Sequence, residues 1–138
     1  MSFITSTDLL TAMYQEQLDA ITREDDALPQ FGMDAAEEEM KGYLSPKYDV
    51  AKIFAKSGTD RNKLLIVLCR DMAIYHILSI SNPGMNTDSK KARYDRAVSW
   101  LQNVQSGKVN PPNLERTETD ETIGEILMTS NVKRTQHY

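Results

Sequence analysis

The stretch "KLLIVLCRDMAIYHIL", Lys63 to Leu78, brings a thiol, a carboxylate, a guanidinium and an imidazole into the most apolar run of the chain. Cys69, Asp71 and His76 are the residue types of a nucleophile set. Their spacing argues against one: on a single helix, seven residues separate Cys69 from His76 by about two turns, roughly 10 Å. The other histidine, His137, stands next to the end of the sequence. Two carboxylate groups raise a metal or acid/base reading. Asp25 and Asp26 lack the alternating spacing, glycine and terminal glutamate of a calcium loop. Glu37, Glu38 and Glu39 are consecutive, and neighbours on a helix point in different directions, so they read as a solvated face. No zinc-spaced Cys/His cluster occurs, and the expectation is a non-enzymatic protein without metal or cofactor.

The basic residues are the other chemistry in the sequence. Lys90, Lys91, Arg93 and Arg96 stand on the first turns of one expected helix, where they could meet phosphates. They are not interleaved with aromatic residues in a nucleic-acid motif. Charge is unevenly distributed along the chain. Met1 to Ser45 carries ten acidic and two basic residues, Pro46 to Lys108 five and eleven, and Val109 to Tyr138 five and three. A net charge of -4 therefore hides an acidic start and a basic middle. Such a chain could bind nucleic acid through its middle or attract copies of itself through unlike surfaces.

The elements that hold these residues follow from periodicity. With 138 residues the chain has room for one domain with a sizeable core. A mean hydropathy of -0.51 points to polar segments outside that core. One cysteine excludes an internal disulfide and fits an intracellular protein. The N-terminus lacks the basic start and long apolar run of a signal peptide. Arg70 and Asp71 interrupt the apolar run well short of the roughly 18 to 20 residues a membrane span needs, so no membrane partner is expected.

A first helix should follow a cap at Ser6 or Thr7, with Leu10, Met13, Tyr14, Leu18 and Ile21 on one face. Pro29 and Gly32 mark a loop, and a second helix runs from about Met33 to Leu44. Pro46 ends it, and "VAKIFAK" makes a short third helix before Ser57 and Gly58. The helix over 61–81 is apolar on two sides, through Leu64, Leu65, Leu68, Met72 and Tyr75 and through Ile66, Cys69, Ala73, Ile77 and Ile80. It should be central, with Arg70 and Asp71 pairing to other helices rather than to each other. The last long helix begins at Thr87 or Asp88, buries Tyr94, Ala97, Val98, Leu101 and Val104, and ends at Gly107. The fold class is all-α: a bundle of four to five helices over 1–108, with an extended or partly disordered arm over 109–138. That arm is polar apart from Ile123, Ile126, Leu127 and Met128, and ends in a segment carrying Lys133 and Arg134. It suits either docking on a partner or packing on its own domain.

Three segments resemble one family in order and spacing: "YLSPKYD" at Tyr43 to Asp49, "DMAIYH" at Asp71 to His76, and "RYDRAVSWL" at Arg93 to Leu101 followed by "GKVNP". They are similar to Mu-like phage and prophage proteins long labelled a domain of unknown function, which resemble head–tail connector (adaptor) proteins. The resemblance runs from Phe3 to about Leu114. It implies a small helical subunit that forms a homo-oligomeric ring under the portal protein, in the virion neck. Its partners would be itself, the portal and the next neck or tail protein, and assembly would take place in the cytoplasm of a bacterial host. Glu37, Glu38, Glu39, Lys90, Lys91, Arg93, Arg96, Ile126, Leu127, Met128, Lys133 and Arg134 are the candidate interaction residues. The competing reading is a nucleic-acid-binding or packaging-associated phage protein using Lys47, Lys52, Lys56, Lys90, Lys91, Arg93 and Arg96.

Overall fold

The computed structural model describes residues 3–22, 27–81 and 88–117. Within them the chain forms six α-helices and no strand: α1 (Ser6–Leu9), α2 (Gln15–Thr22), α3 (Ala27–Leu44), α4 (Val50–Ala55), α5 (Lys63–Ser81) and α6 (Asp88–Ser106). The all-α class expected from periodicity holds. Helices α3, α5 and α6 pack on one another, and α1 and α2 lie against α5. Central α5 supplies Leu65, Leu68, Cys69, Met72, Ala73, Ile77 and Leu78 to the buried core. Leu64, Val67 and Ile80 of the same helix remain exposed. The expectation that Leu64 and Ile80 are core residues is thus corrected, both lying near the ends of the helix where fewer neighbours reach.

The expected first helix is two helices. Thr5, rather than Ser6 or Thr7, caps α1 in a reciprocal box, its hydroxyl accepting from the Asp8 N–H while the Asp8 carboxylate accepts from the Thr5 N–H at 2.8 Å. The Thr11 hydroxyl then donates to the Asp8 carbonyl at 2.6 Å, and the Thr11 and Ala12 N–H groups bond three residues back. This tight turn competes with helix continuation. Consequently Met13 and Leu18 are buried while Leu10 and Tyr14 of the expected stripe are exposed.

Helix α3 begins six residues earlier than expected. Pro29 falls in its first turn, where no intrahelical N–H is required. Gly32 lies inside the helix at the crossing with α5, where a Cβ would stand 2.4 Å from Ile77 Cγ1 and 3.1 Å from the Ala73 carbonyl oxygen. Its breaker character is outweighed by the close helix approach that only a missing side chain permits.

Asn62 caps α5, its side-chain oxygen accepting from the Leu65 N–H at 3.1 Å. Gly107, at φ 88°, ends α6 as expected. Residues 109–117 fold back along the bundle: Leu114 is buried, and an isolated antiparallel bridge joins Arg116 to Tyr48. The Lys56–Glu115 ion pair and the Thr117 N–H to Lys47 carbonyl bond fix this strap on the corner between α3 and α4.

Candidate functional site

The residues of the nucleophile reading are dispersed. Cys69 is fully buried. Burial, then the nearby Glu37 and Asp8 carboxylates, push its thiol pKa well above the ordinary range, the reverse of what an attacking thiolate needs. Asp71 accepts from Arg70 Nε at 3.1 Å and Nη2 at 2.9 Å, while Arg70 Nη1 donates to the Thr11 hydroxyl at 2.9 Å. The expectation that Arg70 and Asp71 would pair elsewhere is corrected: the long guanidinium stem spans the turn between adjacent positions. Among the described residues, no group of three or more His, Cys, Asp or Glu could hold a metal ion, and no helix is long and apolar enough to cross a membrane.

The three consecutive glutamates of α3 point in three directions. Glu37 is not on a solvated face: it is only 9% exposed, accepts from the Phe3 N–H at 3.0 Å and pairs with Lys41 at 3.2 Å. Satisfying the N-terminal backbone compensates its burial. Glu38 is exposed. Glu39 accepts from the Tyr94 hydroxyl and lies 3.6 Å from His76 Nε2, a separation too long for a hydrogen bond but close enough for an ion pair when the imidazole is protonated. Tyr75 stacks on Tyr94 at 4.5 Å beside them. The cluster ties α3, α5 and α6 together.

Two charged grooves flank the N-terminal segment. On its α3 side, Ile4 to Ser6 form one wall of an open groove whose other wall carries Asp34, Glu37, Glu38 and Lys41. On its α6 side, Leu10 to Tyr14 face Val67, Arg70 and Asp71 of α5 and Arg93 and Arg96 of α6. The first groove is acidic and the second cationic. Among the described residues, Arg93 and Arg96 enter no ion pair, whereas Lys91 pairs with Asp95 at 3.3 Å on the exposed side of α6. Lys90 is half-buried, and burial followed by the Arg93 charge lowers its pKa.

The seven cations of the nucleic-acid reading are spread over α6, α4 and the turns flanking α4. Lys52 pairs with Asp49 at 3.9 Å and Lys56 with Glu115, both at α4. Lys90, Lys91, Arg93 and Arg96 lie on α6. The grooves themselves were missed by periodicity, because Leu10 and Tyr14 have the spacing of core residues. Ile126, Leu127, Met128, Lys133 and Arg134 lie outside the described residues.

An all-α bundle whose buried polar side chains tie its helices together is in the class of small helical bundle proteins. The family model described as Bacteriophage Mu, Gp36 matches residues 3–129, and the chain belongs to that family of phage proteins. The match extends past Leu114 into the arm, taking in Ile126, Leu127 and Met128 but not Lys133 and Arg134. Among curated proteins none matches the chain.

Proposed function

We propose that this phage protein is a non-enzymatic neck subunit, a head–tail connector that oligomerises into a ring joining the portal to the tail. The observation that carries this reading is the pair of unlike grooves on either side of the N-terminal segment, acidic at Asp34 and Glu38 and cationic at Arg93 and Arg96. Like charges disfavour a two-fold dimer in which each groove meets itself. Unlike faces favour head-to-tail contacts, which close into a ring when the rotation permits. The contacts lie on exposed surfaces, so assembly should weaken as salt shortens the Debye length from about 10 Å at 0.1 M.

Size exclusion coupled to light scattering tests this, with the chain alone and with the portal protein of the same phage, at low and moderate salt. A ring-sized oligomer or stoichiometric portal binding, weakened at the higher salt, is expected. A chain that stays monomeric and ignores the portal at both salts would refute the reading.

A further inference from the structure

A third groove lies between the start of α5, the C-terminal half of α6 and the strap. Leu64, Trp100, Pro111 and Pro112 line it, with Leu64 47% exposed and Trp100 half-buried. Of the charged residues at its rim, Lys56 and Arg61 are held in ion pairs with Glu115 and Asp8, and Asp60 and Lys63 cancel in charge. The groove therefore offers an occupant an aromatic and aliphatic wall, the kind of surface that takes an aromatic anchor at the centre of an interface.

Helix α3 carries a matching side chain. Phe31 is 62% exposed, and Asp34 and Glu38, three and seven residues further on, are exposed on the same stripe of the helix. On α6, Arg96 and Arg93 precede Trp100 by four and seven residues and share its stripe in the reverse direction. Each stripe is about 10 Å long. Laid antiparallel on a neighbour, α3 sets Phe31 against Trp100 and Leu64 while Asp34 and Glu38 come level with Arg96 and Arg93. The same subunit's Phe31 does not reach this groove: the adjacent Gly32 packs on Ala73 and Ile77, and Leu64 stands nine residues before Ala73, about 13 Å away along α5. We infer that Phe31 of one subunit seats in the groove of Leu64, Trp100 and Pro112 on a second copy. This rests on the ring reading, to which it adds an apolar anchor and a register for the charged contacts.

A head-to-tail contact has two different sides, so complementation between two full-length variants tests the inference. Phe31→Ala removes the anchor and keeps the groove; Leu64→Glu blocks the groove and keeps the anchor. Each is followed by light scattering under the conditions in which the parent assembles. Either variant alone should associate at least about tenfold more weakly than the parent and form no ring. Mixed one to one, they should form a discrete heterodimer, because one intact anchor then meets one intact groove. That recovery excludes misfolding of either variant. Two results overturn the inference while leaving the ring reading in place: variants that assemble as the parent does, or variants that fail alone and also fail when mixed. A parent chain that forms no oligomer with or without portal would instead remove the ring reading, and this inference with it.

Discussion

Gly32→Ala puts two opposing effects in competition at one position. Helix propensity favours alanine over glycine by about 0.8–1 kcal/mol in a helix interior. Packing opposes it, because the new Cβ would stand 2.4 Å from Ile77 Cγ1, where carbon atoms rest at about 3.5–4.0 Å, and 3.1 Å from the Ala73 carbonyl. Relief requires either an off-rotamer Ile77, at about 0.5–1.5 kcal/mol, or separation of α3 from α5. Overpacking of this kind costs about 1–3 kcal/mol. The net expectation is a destabilisation of about 1 kcal/mol. It is read from urea unfolding followed by circular dichroism, as a midpoint lowered by about 0.5 M for a slope near 2 kcal/mol/M. The pairing with Ile77→Ala decides the cause: that change alone costs about 2–5 kcal/mol, and in its presence Gly32→Ala should become neutral or stabilising. A Gly32→Ala chain as stable as the parent would refute the close-crossing account and leave propensity as the governing effect.

Three further outcomes follow from the described contacts. At Asp8, burial raises the pKa, but hydrogen bonds from Arg61 and the Thr5 N–H outweigh it, and the net shift is downward from 3.8. The stability this contributes is complete above that value and is lost as pH falls through the lower folded-state pKa. Asp8→Asn should therefore destabilise the chain at pH 7 by about 1–3 kcal/mol and flatten its acid-unfolding limb below pH 4, as measured by thermal melts across pH; an unchanged acid limb would count against the Arg61 contact. Burial, and then the Glu39 carboxylate, raise the Tyr94 pKa above its ordinary value of 10.0, so Tyr94→Phe should remove a late-titrating phenol from the ultraviolet titration and cost about 1–2 kcal/mol. Loss of an early-titrating phenol instead would disprove the Glu39 bond. The Cys69 thiol should resist an aromatic disulfide reagent in the native chain and react fully in urea; rapid native labelling would contradict its burial.

Helices α5 and α6 were legible because their own residues carry the signal: an apolar period through Leu65, Met72 and Ile77, and a glycine at 107 that takes up a left-handed conformation. The start of α3 was not, since Pro29 and Gly32 are breakers by propensity and only the distant Ile77 and Ala73 reveal why Gly32 belongs inside a helix. Glu37 looked solvated for the same reason, its partner being the Phe3 backbone. Arg70 and Asp71 were misjudged by treating side-chain direction as if it fixed reach. Of the candidate interaction surface, the charge imbalance between the first and middle parts of the chain could be read directly. Its placement could not, because the turn at Thr11 rather than any long-range pattern turns Leu10 and Tyr14 outward beside Arg93 and Arg96.

The connector role is tested most directly in the phage that encodes this chain. Its gene is deleted, then restored in trans, and the lysates are examined by electron microscopy. Capsids and tails that form but remain unjoined without the chain, and join when it is supplied, are the predicted result. Joined, infectious particles in its absence would contradict the account.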